Sequence, residues 1–280
     1  MNSKRIRFSL TLLSVLFTMS VSSSAIGEDE KPLRFGVFPY LSAALLEDIY
    51  APVAKELSEK TNTRVHFRTA SNFPQFFKKL RLQHYDIALI QPFWYPAAVD
   101  KHSYQPLARM KEPFTSLIMV PESSNLYTIE DLRGKVIATP PAFVPVVHMA
   151  KQALREAGLV VGKDVTFAQN RSVDSCFQQV VMGNAVACVA PPFAPAVIEE
   201  KMKIKLRVLL RTPAIPNLSL LVHKRVPGDK VEAIRQAVLG WQNTERGRVL
   251  LRGMKTEGFV PAIDREYDVV RETIKELRIE

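Results

Sequence analysis

The chain has 280 residues, about half of them hydrophobic and about a quarter charged, and its formal net charge is +10. This composition is typical of a globular protein and excludes a disordered one, and the length allows one large domain or two lobes. No zinc-finger, RNA-recognition or helix-turn-helix pattern accompanies the positive charge. We therefore expect no nucleic-acid partner.

Residues 1–25 have the three parts of a secretory signal peptide. Basic residues precede a mainly apolar run at residues 8–21, and Ser23–Ala25 offers small side chains for cleavage. An uncleaved membrane anchor is the alternative, but a run of about 14 residues is shorter than the ~20 that span a bilayer. Cleavage would remove three positive charges and leave a periplasmic protein.

Strands and helices alternate through the first part of the mature chain. Apolar residues predict strands at 33–40, 64–68 and 86–90, and helical spacing predicts helices near Leu46–Leu57 and Phe73–Leu80. Such alternation favours an α/β fold built on mainly parallel sheets.

The same alternation returns after residue 128. Thr128–Asp131 resembles a capping box before a short helix that ends at Gly134, and Pro145 suits the first turn of a longer helix. Two such blocks predict two lobes. The predicted elements of the second block are strands at 135–139, 164–168, 186–190 and 205–211, and helices at 145–157, 173–182 and about 193–201.

Two apolar, extended segments, 114–120 and 213–222, are expected to cross between the lobes. We therefore assign residues 32–115 and 220–280 to lobe 1 and residues 116–219 to lobe 2. A helical tail completes lobe 1. The side chains expected on the buried face of this tail are Trp241, Leu250, Leu251 and Val269.

Four segments occur in the order and spacing of one known family. They are LRFGVFPY at 33–40, DIALIQPFWY at 86–95, IEDLRGKVIAT at 129–139 and VDSC…GNAVACV at 173–189. In these segments the chain resembles the periplasmic substrate-binding proteins grouped with phosphate, phosphite and phosphonate transport. The resemblance implies the two-lobed type II periplasmic-binding fold, with a ligand in the cleft and an ABC permease as partner. We expect a monomer without a cofactor.

The resemblance also implies which side chains of lobe 1 face the cleft. An aromatic residue after the first strand is matched by Tyr40, and a tyrosine after the third strand is matched by Tyr95. Gln91 and Trp94 lie next to Tyr95 in the sequence, so we include them among the expected ligand contacts.

In lobe 2 the family usually places a Ser-Thr-Ser cluster at the turn after the strand, where hydroxyl and amide groups hold the phosphonate oxygens. This chain has residues 140–145, PPAFVP, at that turn. Proline has no N–H, and none of the six residues has a hydroxyl. We therefore expect Pro140, Pro141 and Phe143 to contact a less charged, apolar or aromatic ligand, with the amides of residues 146–148 nearby. Simple packing of these side chains between the lobes is the alternative.

Further contacts in lobe 2 are expected at Arg171, Asp174 and Pro191. Arg171 and Asp174 lie in a polar turn before a helix, where Ser172 or Asp174 could also act as the N-cap. Pro191 stands where the family has an acidic residue.

The two cysteines, Cys176 and Cys188, suggest a disulfide because the chain is predicted to be secreted. The alternative is a pair of thiols that binds a thiophilic oxyanion such as arsenite. His148 has no partner at metal-ligand spacing, so we expect no metal site. Nucleophile-elbow, zinc-protease and phosphate-loop motifs are absent from the sequence, so we expect no enzymatic activity.

Two functions remain open from the sequence. The first is a receptor that closes on a small ligand and delivers it to an ABC permease. The second is a ligand-sensing partner of a membrane histidine kinase. Both need contacts from the two lobes, because a ligand shifts an equilibrium only by its differential affinity for the two states.

Overall fold

The computed structural model describes residues 31–192 and 194–277, and the strands within them form two sheets. The strands of the first sheet are β1 (Leu33–Val37), β2 (Val65–Arg68), β3 (Ile87–Ile90), β4 (Tyr104–Met110), β10 (Ser219–His223) and β11 (Phe259–Pro261). The strands of the second sheet are β5 (Leu117–Pro121), β6 (Val136–Thr139), β7 (Thr166–Gln169), β8 (Ala187–Ala190) and β9 (Leu206–Arg211).

Helices flank both sheets. They are α1 (Ala43–Thr61), α2 (Phe73–Arg81), α3 (Pro145–Glu156), α4 (Val173–Val181), α5 (Ala194–Met202), α6 (Gly228–Gly240), α7 (Glu245–Met254) and α8 (Asp268–Leu277). The predicted α/β class is confirmed. Local signals explain the boundaries. For example, Ser42 caps α1, whose buried residues Leu46, Val53 and Leu57 follow helical spacing, and Asn62 ends it in a left-handed conformation.

The strand order is β11-β4-β10-β3-β1-β2 in the first sheet and β7-β6-β8-β5-β9 in the second. In the first sheet β1 pairs in parallel with β2 and β3, and in the second β6 pairs in parallel with β7 and β8. Strands β10 and β5 run antiparallel to their neighbours. Each sheet is therefore mixed. Each contains a group of three parallel strands, and strand-to-helix turns follow the carboxyl ends of these strands.

Two segments connect the sheets. Phe114 and Ile215 pair antiparallel between them, with backbone hydrogen bonds of 2.9 Å in both directions. Next to this pair, Ser116 donates its hydroxyl to the carbonyl of Val146 in α3 at 2.7 Å. The strands before Phe114 belong to the first sheet and those from β5 to β9 to the second, and β10 begins at Ser219. The exact lobe boundaries stay a prediction.

The tail differs from its prediction in two places. Trp241, Leu250 and Leu251 are buried as predicted, but Val269 is exposed and Val270 is buried instead. The other difference is β11, which pairs with β4 and was not predicted. A three-residue strand that ends in proline carries too little periodicity to be recognised from sequence.

The predicted signal peptide, residues 1–25, lies outside the described residues. Over the part of the chain that the structure describes, no helix is both long enough and apolar enough to cross a bilayer.

Candidate functional site

The candidate site lies where the carboxyl ends of the parallel strands face each other. Ligands of open α/β sheets bind in the crevice outside these ends. In the first sheet the residues after β1 and β3 reach this edge. In the second sheet the turns after β6, β7 and β8 reach it. The sequence-predicted ligand contacts all come from these five turns, but the structure brings only some of them to an accessible position.

Six aromatic side chains form a continuous wall on the first-sheet side. Trp94 contacts several of them, with ring centroids 5.8 Å from Phe73, 6.1 Å from Phe38 and 5.1 Å from Phe77. Edge-to-face and offset contacts at these distances are favourable. Tyr40 joins this aromatic wall through Phe38, at 5.0 Å. The members of the aromatic wall are Phe38, Tyr40, Phe73, Phe76, Phe77 and Trp94.

The second sheet contacts this aromatic wall through the turn after β6 and the start of α3. The ring of Phe143 lies 4.8 Å from that of Phe73, and the ring of His148 lies 5.7 Å from that of Phe93. Met149 is buried against first-sheet side chains. Phe143 keeps half of its surface exposed, 50%. The two lobes therefore meet through ring contacts, and Phe143 is the more exposed member of the Phe73–Phe143 pair.

The turn at residues 140–145 offers few hydrogen-bond donors, as its sequence predicts. Pro140 is buried, Pro141 is half-buried, and the amide of Val144 donates to the carbonyl of Pro141 at 3.1 Å. The amide of Val147 donates to Val144 at 3.1 Å. The Val147 amide was expected to bind a ligand, and this expectation is wrong. Its N–H already donates within the first turn of α3 and is not available to a ligand.

Arg171 lies in the neighbouring turn, after β7, and its side chain is exposed. The next residue, Ser172, caps α4 by accepting from the amide of Ser175, and Ser175 accepts in return from the amide of Ser172. The sequence allowed either Ser172 or Asp174 as the N-cap of α4, and in the structure the N-cap is Ser172. Asp174 is half-buried in the first turn of α4.

Two expected contacts have structural roles in this arrangement. Gln91 is buried, and its side-chain oxygen accepts from the amide of Phe93 at 3.1 Å, so it shapes the turn that positions Trp94. Pro191 is also buried, and its carbonyl accepts from the amide of Ala194 at 3.1 Å, at the start of α5. Neither presents a side chain at an open surface.

Tyr95 departs most from its expected position. Its side chain has no exposed surface, lies stacked on Tyr267 with centroids 3.5 Å apart, and donates to Asp264 at 3.0 Å. Burial, and then the hydrogen bond to Asp264, raise the pKa of Tyr95 well above its usual value. The expectation that Tyr95 faces the cleft is not met, because the tail after β11 covers it. No local sequence signal links residues so far apart along the chain.

Tyr40 is held by a residue that the sequence analysis missed. The hydroxyls of Tyr40 and Tyr50 lie 2.8 Å apart, and Tyr50 is fully buried in α1. Burial raises the pKa of Tyr40 above its ordinary value, and its neutral phenol can donate or accept the hydrogen bond with Tyr50. Burial lowers the pKa of His148, and the positive charge of Lys151 lowers it further. The imidazole of His148 is therefore neutral at pH 7.

Cys176 and Cys188 are joined by a buried disulfide with a Cα–Cα distance of 5.8 Å. It connects α4 to β8, and the structure holds no free cysteine in its described residues. The thiol-binding alternative therefore has no thiols in this state. In the same described part of the chain, no group of three or more His, Cys, Asp or Glu side chains could hold a metal ion.

Comparison with known proteins identifies the family of this chain. Residues 35–267 match the family model for the periplasmic substrate-binding protein of the phosphonate ABC transporter. The chain belongs to this family. The family is periplasmic, its members bind small molecules, and they work with an ABC permease.

Solved structures share the fold at low sequence identity. PhnD1 from Prochlorococcus marinus, in complex with methylphosphonate, has a TM-score of 0.72 and 17% identity over 89% of this chain and 98% of that one. A binding-protein component of a phosphonate ABC transporter from Pseudomonas aeruginosa has a TM-score of 0.71 and 16% identity, over 88% and 86%. A Xanthomonas citri protein bound to ATP has a TM-score of 0.73 and 15% identity, over 89% and 99%. These likenesses confirm the two-lobed type II periplasmic-binding fold.

Proposed function

We propose that this chain is an extracytoplasmic solute-binding protein that captures a small ligand between its lobes for an ABC permease, and that it does not catalyse a reaction. The observation that carries the proposal is the contact between Phe143 of the second lobe and Phe73 of the first, at the carboxyl edges of both sheets. A ligand placed there touches both lobes. Binding can then favour the closed state, because the ligand gains contacts that the open state lacks.

The family ligand is a poor fit to this particular cleft. Each buried phosphonate oxygen without a donor costs about 1–3 kcal/mol. Pro140, Pro141 and Pro145 have no N–H to give, and the amides of Val144 and Val147 are already bonded within the turn. The opposite side of the cleft is the aromatic wall. We therefore propose that the ligand is less charged than a phosphonate dianion and carries an apolar or aromatic part.

The first test is native mass spectrometry of the mature protein purified from a periplasm. We expect an excess mass that is lost on denaturation and that corresponds to a small organic molecule. Thermal denaturation with that compound at 100 times its dissociation constant should show about 2.7 kcal/mol of added stability. A bound phosphonate would contradict the ligand part of the proposal.

The site assignment is tested with Phe143→Ala and a matched control. Met182→Ala also removes an exposed apolar side chain of the second lobe, but at the far end of α4. We expect weaker binding of the recovered ligand by Phe143→Ala and unchanged binding by Met182→Ala. Equal affinity of both variants would show that Phe143 does not contact the ligand.

A sensor kinase as partner is a separate question, because the same closed lobes could present their surface to either membrane protein. Deletion of the cognate permease should abolish uptake of the labelled ligand. If uptake persists and only a transcriptional response is lost with a kinase deletion, the transport role is wrong and the signalling role is supported.

A further inference from the structure

Arg171 is a charged side chain at the candidate site with no structural role in the fold around it. It is exposed in the turn between β7 and α4, and no hydrogen bond or ion pair holds its guanidinium among the residues that the structure describes. Other arginines near the lobe junction are occupied. Arg109 forms a two-point pair with Glu266 at 2.8 and 3.2 Å, and Arg211 donates to Thr115 at 3.4 Å.

The backbone on either side of Arg171 is fixed. The amide of Asn170 donates to the carbonyl of Thr139 at 2.7 Å, and the Asn170 side chain donates to Ala168 at 2.8 Å. On the other side, Ser172 is locked into the capping box of α4. Thr139 is the last residue of β6 and directly precedes the proline turn. Arg171 therefore lies in the turn after β7, and Phe143 lies in the turn after the neighbouring strand β6.

The ring pair formed by Phe73 and by Phe143, in the turn after the neighbouring strand β6, can accept a flat group. Phe73 and Phe143 are tilted by 51° at 4.8 Å, and both are partly exposed. Aromatic pairs remain favourable to centroid distances of about 7 Å, and a flat ring placed between two others needs about 3.5–4 Å on each side. Separation of the lobes by about 2–3 Å would admit one ring and restore contact on both of its faces.

We propose that the cleft takes a monoanionic ligand with one flat apolar ring and one carboxylate, the ring lying between Phe73 and Phe143 and the carboxylate on Arg171. This inference rests on the proposed function and names the substrate class of the same site. The planar guanidinium has parallel N–H donors that match the two oxygens of a carboxylate.

The two other charge states fit less well. A phosphonate has a third oxygen and a second charge, and the three prolines of the turn have no N–H to donate to them. A cationic ring would be repelled by Arg171, and the nearest acidic side chain along α4, Asp174, already has an interaction partner. The site therefore selects one negative charge rather than two or none.

Isothermal titration calorimetry of the mature protein, freed of bound ligand, tests this with defined probes. The acids are benzoate, phenylacetate and 3-phenylpropionate, and each is compared with its neutral amide of the same shape. Benzyltrimethylammonium and methylphosphonate report the other charge states. We expect at least one of the acids to bind 10-fold or more tightly than its amide, since a hydrogen-bonded ion pair contributes about 10- to 150-fold.

Two charge-removing variants separate a direct contact from a general field. Arg171→Gln should remove most of the difference between acid and amide, while the affinity for the amide stays within about 3-fold. Lys163→Gln changes the net charge equally but lies in an exposed loop before β7, at the other end of that strand. It should leave the preference intact. Phe143→Ala should weaken the acid and the amide to a similar degree.

Several results would overturn the inference: equal binding of acids and amides, tighter binding of methylphosphonate or of the cation, or no binding of any ring probe. The inference would also be wrong if Arg171→Gln and Lys163→Gln reduced the preference for the acid over its amide to the same extent. These outcomes leave the receptor role standing if the periplasmic protein still carries a small molecule of another class. Absence of any bound molecule and of any closure on ligand would instead contradict the proposed function.

Discussion

The position of Tyr95 gives a sharp test of the structure against the family resemblance. The resemblance predicts a ligand contact, so Tyr95→Ala would weaken binding without a loss of stability. The structure buries Tyr95 completely on Tyr267 and bonds its hydroxyl to Asp264. It therefore predicts the reverse, a loss of stability with the ligand affinity of the folded protein unchanged.

The size of the effect follows from the contacts. A hydrogen bond to a charged group contributes about 1.5–3 kcal/mol. Asp264 is half-exposed, and Arg271 remains paired with it at 2.8 Å, so Tyr95→Phe should lower the free energy of unfolding by about 1 kcal/mol. Tyr95→Ala also opens a cavity against Tyr267, and large-to-small changes of aromatic side chains cost about 3–5 kcal/mol.

Urea unfolding followed by circular dichroism measures both variants, with calorimetric titration of the ligand below the unfolding transition. For a chain of this size, 1 kcal/mol corresponds to a shift of about 2–4 °C in Tm, so thermal scans give an independent check. Tyr267→Phe is a useful companion, because it removes a hydroxyl from the same stack. A tenfold loss of affinity in Tyr95→Phe at wild-type stability would refute the reasoning.

Three further changes test the fold around the site. The double variant Cys176→Ser, Cys188→Ser lacks the disulfide, and its free energy of unfolding should be about 3 kcal/mol lower. Urea unfolding should show a lower midpoint for this variant than for the oxidised wild-type protein. Gly36→Ala should destabilise by about 1–3 kcal/mol or more, because its Cβ would lie 2.5 Å from the ring of Tyr85, and a Tm equal to wild type would contradict this. Burial raises the pKa of Asp86, but hydrogen bonds from two arginines outweigh it and lower the pKa overall. Its contribution should therefore be complete above pH 4 and fade as the pH falls below that, and Asp86→Asn should flatten this acid limb of the stability curve.

Most elements could be predicted because their apolar residues keep a regular period. Strand β3 is a buried run between two turns, and α3 begins at a proline and ends near a glycine, so local signals mark both ends. The exposed Val269 shows the limit of predicting burial from the period of apolar residues. Val269 and Val270 are adjacent and chemically equal, and only the packing of α8 against the sheet decides which of them is buried.

The candidate site was predicted unevenly for a similar reason. The small number of donors at residues 140–145 follows from the three prolines and the absence of hydroxyl side chains, so the sequence alone was sufficient to predict it. Phe73 was identified only as part of an apolar helix face, because spacing does not show which end of α2 meets the other lobe. Tyr95 was misplaced because its partners Asp264 and Tyr267 lie in the tail, and only the folded chain brings them together.

The prolines that lack N–H donors also restrict the turn that carries Phe143, which favours the ligand contact proposed for this ring. Pro141 and Pro145 restrict the backbone on either side of Phe143, and α3 begins at Pro145 without a side-chain cap from Val144. A restricted turn loses less entropy when it holds its side chain against a ligand. In the proposed site, the restricted ring of Phe143 would therefore recognise the ligand by apolar contact, at the turn where the family resemblance places hydroxyl donors. The positive charge in that proposed site is Arg171, in the turn after the neighbouring strand β7.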